Sequence, residues 1–599
     1  MKNFNQFILT LLAAGLFASC SLTEEPTSFV NRKSFYKNES QCIAALNSCY
    51  MPANAIYTAN FMLVTEACTD IWYSSSTTVD ACLDVTPAKP QYGKNVWTQG
   101  YKGVMYCNEC VECISSADLA DGVKMPLAAE ARVMRAFYYY VLTCMFGDVP
   151  FYTTMVDTDQ RLAEIRRLPR TPAHEIRQEL YDDLERNALP WFTAENGRKC
   201  RASEAVDNRS GYALALMLMA KFAMWNEDWN GALVPLQALE ELYGDFNEGN
   251  YPLAETQWRY KNPAESIFEI QHAWSLTGTQ YNGNVAAIMM PTHNGDGVFD
   301  GVPLKGYGTS MPGWSSLRAN NRYAIFRPAT GNTQTENAAY VDALFNPLPL
   351  TYDTYDATLN RYTVKIDREA LAAGEIRGQK IDRRVQYFLG LGDLEAGETF
   401  KITHNYGVPW PGPKFWCPDI EQNYDSNNYR IFRYADAILM MAECYCNLEN
   451  AEETMRYLNM VRQRAGVDPV TNFTGFEDLT LAVRCERARE LGGEFQRKFD
   501  LVRWGIWYQM TYDYTNYSTL KENMLPPLLS HSRRAVRPFG LRADQRRIPC
   551  RRIIKTRTDE TNQQPDTGAR GTLRGRVRRH LRGALRPGRQ YGPVFGHGR

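Results

Sequence analysis

The sequence predicts a mostly α-helical protein in which helices stack as pairs and one long loop-rich insertion interrupts the stack. Apolar residues recur every three or four positions in several long stretches, which is the spacing of a buried helix face. These stretches come in twos, separated by short polar turns. Between about residues 245 and 427 the helical spacing fades, and Gly, Asn, Pro, Tyr and Trp become frequent. We therefore expect a helical scaffold that carries an insertion.

The clearest helix pair occupies residues 428–466. Its first member reads NYRIFRYADAILMMAECYCNLEN, and its second reads AEETMRYLNMVRQRAG, which ends at Gly466, a residue type that accepts the left-handed backbone of a helix end. Another pair, SGYALALMLMAKFAMWNED and WNGALVPLQALEELYGD, carries alanines such as Ala213, Ala220 and Ala232 that let two helices approach closely. The unit resembles the helix-turn-helix of tetratricopeptide repeats, so the predicted class is a mostly α, tetratricopeptide-like superhelix of helix pairs.

Two further pairs are expected nearer the N-terminus. SQCIAALNSCYMP is expected to pair with VWTQGYKGVMYCNECVECI, and PLAAEARVMRAFYYYVLTCMFGDVP with TPAHEIRQELYDDLERNALP. The second of these four helices places Cys107, Cys110 and Cys113 on one face. Three thiols could hold a metal, but a closed zinc site takes four ligands and no histidine stands nearby. We therefore interpret them as small buried apolar side chains, and predict no metal site and no cofactor.

The N-terminus is typical of an export signal. Residues 7–18 are apolar, and about a dozen residues are too few to cross a bilayer, which needs roughly 20. Cys20 follows small residues in a segment that resembles a bacterial lipobox; an ordinary signal peptide with a chance cysteine is the alternative. Glu24 and Glu25 then resemble the surface-export signal of Bacteroidetes lipoproteins. We predict a signal peptide over residues 1–19, lipidation of Cys20 and a surface-exposed, lipid-anchored position at the outer membrane.

Two regions of the chain differ in their charge. The whole sequence holds 67 basic and 67 acidic residues, but residues 531–599 hold 19 of the former and 4 of the latter, so the remainder carries a net charge of −15. An acidic body argues against nucleic acid as a partner, because phosphate binding depends on Lys and Arg.

Residues 526–599 are predicted to be an anomalous tail. Their basic residues are almost all Arg, with Lys555 as the single Lys, and apolar periodicity that could build a core is missing. We interpret the segment as translated out of frame beyond about residues 525–530, and predict that it is disordered. A basic arm that binds nucleic acid or lipid head groups is the alternative.

The sequence shows no constellation typical of catalysis. The four histidines that precede the tail, His174, His272, His293 and His404, form no HExxH, and neither a GxSxG nor a Walker loop is present. NGDGVFDG is similar to a calcium loop, but Lys305 stands where an EF-hand needs a bidentate Glu. A pair of carboxylates placed for glycoside hydrolysis stays an open alternative, because the distance between two carboxylates depends on the folded structure. We expect a binding protein rather than an enzyme.

Four sequence blocks together resemble the SusD/RagB family of surface lipoproteins: EARVMRAFYYYVLTCMFGDVPFY, RIFRYADAILMMAE, LNMVRQRAG and RCERARELGGEFQRKFDLVRWG. They occur in one order within residues 20–525, which we predict to form a SusD-like domain with the loop-rich insertion inside it. The resemblance implies a SusC-like TonB-dependent transporter as partner and nutrient import as the role. We interpret the motif residues as scaffold; Asp500 and Arg503, for example, are spaced to pair along a helix surface.

Aromatic residues in less helical surroundings are the candidate ligand contacts. Tyr and Trp combine an apolar body with a polar tip, which suits the apolar faces and polar edges of sugars. The candidates are Trp72, Tyr73, Trp274, Tyr281 and Trp314, and packing is an equal alternative for each. A glycan is the favoured ligand. A peptide, which the resemblance also allows, and a scaffold that binds only proteins are the alternatives.

Overall fold

A computed structural model of the protein describes residues 35–74, 92–274, 282–289 and 424–514, together with short strands and a few single positions between 293 and 420. The chain divides into two units, residues 1–538 and 539–599, and all described residues lie in the first. Among the helices of these ranges, none is long and apolar enough to cross a membrane. The predicted signal peptide, Cys20 and the tail lie outside the described residues.

The described part of the chain is mostly helical, which confirms the predicted class. Its α-helices are, in chain order, α1 (Glu39–Asn47), α2 (Met51–Ile56), α3 (Ala59–Glu66), α4 (Gly93–Ser115), α5 (Asp121–Phe146), α6 (Asp159–Ile165), α7 (Ala173–Asn187), α8 (Tyr212–Trp225), α9 (Trp229–Tyr243), α10 (Val285–Met289), α11 (Tyr434–Asn447), α12 (Ala451–Arg464), α13 (Phe476–Leu491), α14 (Arg497–Arg503) and α15 (Trp507–Tyr514).

Helices that follow one another across a short turn pack together, as predicted for α8 with α9 and α11 with α12. Polar caps make these turns abrupt. The Asp228 carboxylate accepts the Gly231 N–H at the start of α9, and the Asn450 side chain accepts the Glu453 N–H at the start of α12. Each cap satisfies a backbone donor that the first helical turn leaves open, so the second helix can begin at once.

The N-terminal pairing differs from the expectation in one respect. Helix α4 contacts α1 and α5 contacts α7, but α4 packs most extensively on α5. Glycines on α4 explain the closeness: a Cβ at Gly103 would overlap the ring of Tyr138, and a Cβ at Gly100 would lie 2.9 Å from Leu142 Cδ2. The missing side chains therefore let α5 lie almost against the α4 backbone.

Most of the described strands are short and lie within the insertion, together with helix α10. The described strands are β1 (Trp72–Ser74), β2 (Ser266–Ile270), β3 (His293–Asn294), β4 (Gly297–Phe299), β5 (Val302–Leu304), β6 (Leu317–Ala319), β7 (Thr351–Asp356), β8 (Arg361–Ile366), β9 (Glu375–Ile376), β10 (Gln379–Lys380), β11 (Glu395–Ala396), β12 (Lys401–Ile402) and β13 (Tyr429–Arg433). All pairs are antiparallel: β1–β6, β2–β13, β3–β12, β4–β5, β4–β11, β7–β8 and β9–β10.

The β2–β13 ribbon joins the two ends of the insertion within the helical core. Every residue of both strands is buried, and the register shifts twice along β13. Phe268 and Phe432 pack against Phe137 of α5, so the ribbon lies against the N-terminal helices. The ribbon thus brings residues 266–270 and 429–433 together in the core.

A buried ion cluster lies at the end of this ribbon. Arg433 pairs with Glu265 (2.7 Å), Glu490 (2.7 Å) and Glu494 (2.9 Å), and Arg464 pairs with Glu265 (2.9 Å) and Glu490. Burial alone would raise the pKa of Glu490, but the guanidinium groups of Arg464 and Arg433 outweigh burial and lower the pKa. Because each charge has several partners, the pairings can offset the cost of removing them from water.

A second ion cluster includes the predicted pair of Asp500 and Arg503. Their side chains lie 3.0 Å apart, but they are only 7% and 8% exposed, so the pair lies in the interior instead of on a helix surface. Arg503 also donates to Glu443 of α11 (2.6 Å), and Arg487 of α13 donates to Asp500 (2.8 Å). Neighbouring helices therefore cover both residues, and the two side chains hold helices of the scaffold together.

Candidate ligand-binding surface

Strand β1 brings the first two candidate residues next to the segment that contains Trp314. In the β1–β6 pair, Tyr73 lies opposite Arg318 and Ser74 opposite Leu317. Trp314 precedes β6 by three positions and lies outside the described residues. Two segments about 240 residues apart in sequence thus meet in one small sheet.

The two β1 residues have different environments. Successive side chains of a strand point to opposite faces. Trp72 is 0% exposed and belongs to the hydrophobic core, whereas Tyr73 is half-buried. Direct contact between Trp72 and a ligand does not fit this burial, so we assign Trp72 to the core beneath the surface and keep Tyr73 as the candidate.

Helix α10 connects this sheet to the segment that contains Tyr281. The Ser316 N–H donates to the Ile288 carbonyl (3.0 Å), and the Ala59 N–H donates to Asn284 Oδ1 (2.9 Å), which fixes α10 between β6 and α3. Tyr281 itself lies outside the described residues, directly before residues 282–289.

Tyr429 links α10 to the segment that leads to Trp274. Its hydroxyl accepts the N–H groups of Val285 (3.0 Å) and Asn284. Its ring lies 4.2 Å from the ring of His272, whose own N–H donates to Asn428 Oδ1 (2.9 Å). Burial lowers the pKa of His272 to about 4, since the charged imidazolium is disfavoured away from water. His272 is therefore neutral near pH 7 and serves as a fixed packing group.

Trp274 follows His272 by two positions and is exposed, with 36% of its surface accessible. Nearby Tyr260 is 40% exposed, and the Arg259 guanidinium lies 5.6 Å from its ring centroid. The Lys261 ammonium donates to the His272 carbonyl (3.2 Å), which holds the Tyr260 segment beside the Trp274 segment. Both aromatic side chains are therefore accessible to a ligand.

A set of side-chain amides connects the same two segments. Asn262 and Gln271 exchange two hydrogen bonds (3.0 and 2.7 Å), and Asn428 donates to Gln271 Oε1 (2.8 Å) and to Glu269 Oε2 (2.9 Å). Gln271 is exposed, so its amide borders solvent. We name Asn262, Gln271 and Asn428 the amide set. Sequence reasoning missed the amide set and Tyr260; the signal available was the density of Asn and Gln beside aromatic residues at both ends of the insertion.

The surface has the chemistry of a binding site for uncharged polar molecules. Aromatic faces offer dispersion contacts, and primary amides offer both donors and acceptors at fixed positions. The nearest carboxylate, Glu269, is buried and already accepts from Arg430 (3.2 Å) and from the Asn262 N–H (2.9 Å). Glu269 is therefore committed to the scaffold.

The cysteines singled out in the sequence lie in the core of the described helices. Cys107 and Cys110 are buried and Cys113 is partly buried, in agreement with their interpretation as small apolar residues. Within the ranges that the structure describes, no group of three or more His, Cys, Asp or Glu side chains is placed to hold a metal ion.

Two family models match segments on either side of the insertion. The model described as "Starch-binding associating with outer membrane" matches residues 25–189, and the model described as "SusD family" matches residues 418–538. The first segment covers α1–α7, and the second covers β13 and α11–α15. The matches therefore fall on the helical scaffold and include the second ion cluster and every member of the first except Glu265.

Relatives match the chain over most of its length. It is 25% identical to "SusD-like protein P25" of Formosa agariphila over 555 residues, which cover 86% of this chain and 92% of the relative. "SusD-like protein P38" of the same organism is 21% identical, with 84% and 91% covered.

Solved structures share the fold. A SusD-like protein from Bacteroides fragilis superposes with a TM-score of 0.56 at 19% identity, covering 80% of this chain and 88% of that one. A "Laminarin binding SusD-like protein" gives a TM-score of 0.53 at 18% identity, covering 82% and 95%. Surface glycan-binding protein A from Bacteroides fluxus gives 0.52 at 21% identity, covering 79% and 90%. The chain therefore has the SusD-like fold, and the matched models and relatives make it similar to the SusD/RagB family over most of its length.

Proposed function

We propose that this protein is a lipid-anchored binding protein of the outer-membrane surface that captures a glycan, does not convert it, and delivers it to a SusC-like TonB-dependent transporter. The observation that carries the proposal is the exposure of Trp274 and Tyr260 on two segments that the Lys261–His272 hydrogen bond and the amide set join. The description of one matching family model as starch-binding, and the glycan and laminarin binding named for structural neighbours, support the same class of ligand.

The physical basis is complementarity to a sugar. A pyranose ring presents C–H groups on its faces and hydroxyls around its edge, so it needs an apolar plane and a rim of paired donors and acceptors. Trp274 and Tyr260 supply planes, and exposed Gln271 supplies an amide that Asn262 and Asn428 orient. Orientation before binding lowers the entropy cost of ordering these groups around a ligand.

Lipidation of Cys20, the surface position and the transporter partner are parts of the proposal that rest on the sequence and on the similarity to SusD-like proteins. A diacylated or triacylated N-terminus would hold the scaffold at the membrane, since one chain alone binds only marginally. Replacement of Cys20 by Ser should release the mature protein into the soluble fraction.

Calorimetric titration of oligosaccharides into the full chain tests the ligand class. We expect Trp274→Ala and Tyr260→Ala each to weaken glycan binding at least tenfold and to leave the far-UV circular dichroism unchanged. Phe473→Ala is the matched control, because Phe473 is similarly exposed (38%) but belongs to another segment. Equal loss in the control, or binding of peptides in place of glycans, would overturn the proposal, and turnover of the bound glycan would overturn its non-catalytic part.

A further inference from the structure

Tyr429, the first residue of β13, is buried beside the candidate ligand contacts. Only 1% of its surface is accessible, so its side chain is not a contact itself. In the β2–β13 ribbon it lies opposite Ile270, the last residue of β2, and the chain continues from there to His272 and Trp274. The residue before it, Asn428, belongs to the amide set. Tyr429 is therefore placed to act on both kinds of candidate contact from within the core.

The hydroxyl of Tyr429 holds the segment that leads into α10. It accepts the N–H groups of Asn284 and Val285 (3.0 Å for Val285), and it donates to Asn284 Oδ1 (3.3 Å). The first N–H groups of a helix have no intrahelical acceptor, so this hydroxyl serves them in place of a capping side chain. Removal of one oxygen atom would therefore release two backbone donors at once.

Close packing keeps the same segment against Tyr429. Gly283 and Asp425 exchange two backbone hydrogen bonds, with N–H to O distances of 2.7 and 3.0 Å. A Cβ at Gly283 would lie 2.6 Å from Asp425 Oδ1 and 3.1 Å from the Tyr429 hydroxyl, so the close approach depends on glycine. The segment 282–285 is thus held from two sides, by Asp425 and by Tyr429.

The ring of Tyr429 contacts the segment that leads to Trp274. Its centroid lies 4.2 Å from that of His272 and 5.5 Å from that of Trp258, which is part of the core. Contacts with two other rings, together with the anchored hydroxyl, fix the orientation of the Tyr429 ring. One side chain therefore joins the segment 282–285, through its hydroxyl, to the backbone two residues before Trp274, through its ring.

We propose that Tyr429 is a positioning residue of the ligand-binding surface: its hydroxyl, anchored on Asn284 and Val285, keeps its ring against His272 and so holds Trp274 in place for a sugar. This role rests on the proposed glycan-binding function, in which Trp274 contacts the ligand. A side chain that is ordered before binding loses less entropy when the ligand arrives. Glycan affinity therefore depends on a buried hydroxyl that the glycan does not reach.

Fluorine NMR of the full chain labelled with fluorotryptophan tests the positioning without a ligand. The Trp274 resonance is the one missing from Trp274→Phe. We expect Tyr429→Phe, which keeps the ring and removes the hydroxyl, to shift or broaden this resonance. Gly283→Ala should do the same, because its Cβ displaces the segment that the hydroxyl holds.

Tyr139→Phe is the matched control. The hydroxyl of Tyr139 is also buried, accepts the N–H of Tyr152 (3.0 Å) and donates to the carbonyl of Tyr152 (2.8 Å), but it lies on α5. Its loss should cost a comparable set of hydrogen bonds and leave the Trp274 resonance unchanged.

Calorimetric titration of laminarihexaose and maltohexaose into the same variants tests the consequence for binding. We expect Tyr429→Phe to weaken binding of the glucan that the parent protein binds by about fivefold or more, and Tyr139→Phe to leave it unchanged. In the Trp274→Ala background, Tyr429→Phe should cause no further loss, because a residue that acts through Trp274 has no effect once the indole is gone.

The outcomes separate the role of Tyr429 from the proposed function. A Trp274 resonance that Tyr429→Phe leaves unchanged, or that Tyr139→Phe changes equally, would overturn the positioning role and leave glycan binding intact. Additive losses in the double variant would also overturn it, since Tyr429 would then not act through Trp274. A changed resonance in Tyr429→Phe alone, with neither glucan bound by the parent protein, would support the positioning of Trp274 and count against the proposed function.

Discussion

The helical scaffold and the ligand-binding surface of this protein use polar side chains in opposite ways. In the scaffold, charged groups such as Arg433 and Glu490 are buried and pair with several partners at once. On the surface, uncharged amides such as Gln271 are exposed and bond to one another without any net charge. The comparison teaches that the residues which identify the family hold the fold, whereas the residues suited to a ligand lie at the edges of the insertion.

Removing the central cation of the scaffold should have the largest effect. Arg433→Met leaves Glu265, Glu490 and Glu494 buried with fewer cations around them, and loss of one member of a buried ion pair costs about 3–5 kcal/mol. We expect the free energy of unfolding, measured by urea denaturation, to fall by about that amount or the protein not to fold. Arg186→Met at an exposed pair serves as control and should change it by at most about 0.5 kcal/mol. An effect of Arg433→Met as small as that of the control would contradict a stabilising role for the cluster.

The pH dependence of stability should report a neighbouring group of buried charges, which joins the first cluster through Arg384, since Arg384 pairs with both Glu490 (2.9 Å) and Glu486 (2.6 Å). Burial raises the pKa of Glu486, but Arg384, Arg489 and Arg462 outweigh burial and lower the pKa to about 2, from about 4.5 in the unfolded chain. A carboxylate with a depressed pKa contributes stability above its unfolded pKa and loses it as the pH falls toward the folded pKa. We therefore expect the free energy of unfolding to decrease by on the order of 3 kcal/mol between pH 4.5 and pH 2 on account of Glu486.

The variant Glu486→Gln isolates this contribution. It should be less stable than the parent protein at pH 7, and its stability should fall less steeply below pH 4.5. Chemical denaturation at several pH values measures both quantities. Parallel pH profiles for the two proteins would show that Glu486 does not titrate with a depressed pKa.

The close approach of α4 and α5 leads to a prediction with a smaller expected effect on stability. Gly103→Ala places a methyl group against the ring of Tyr138 in a packed interior, and such overpacking costs about 1–3 kcal/mol. Gly122→Ala is the control, because nothing lies within 4 Å of its Cβ position and alanine favours the helix by about 0.5–1 kcal/mol. We expect thermal unfolding to shift downward for the first variant and slightly upward for the second. Equal shifts would indicate that α4 and α5 can separate at little cost.

The scaffold could be predicted from the sequence because helical spacing is a local signal. The α11–α12 pair and the spacing of Asp500 and Arg503 were evident, since both depend on residues near one another in the chain. The burial of that pair was not, because Glu443 and Arg487 reach it from other helices. Trp72 illustrates the same limit. The sequence shows an aromatic residue there, but its position beneath the surface depends on the long-range packing of β1.

The candidate surface was harder to predict for a related reason. Trp274 was a candidate contact from its less helical surroundings, with packing as an equal alternative, and it lies at the surface. The amide set was missed because Asn262, Gln271 and Asn428 come from both sides of a long insertion and meet only through the β2–β13 ribbon. Amides carry no periodic signature, so their grouping becomes visible only in three dimensions.

The smallest predicted effect concerns the amide set itself. Gln271→Ala removes an exposed amide that two asparagines orient. We expect oligosaccharide affinity to fall about fivefold, which is equivalent to about 1 kcal/mol for one hydrogen bond. The free energy of unfolding should change by at most about 0.5 kcal/mol. Gln178→Ala is the control, since Gln178 donates to Asp182 (2.9 Å) on exposed α7 and should leave affinity unchanged. Calorimetry and urea denaturation separate the two quantities. A loss of stability without a loss of affinity would assign Gln271 to the scaffold. The surface amides would then stabilise the fold as the buried charges do, and the two regions would no longer differ in how they use polar side chains.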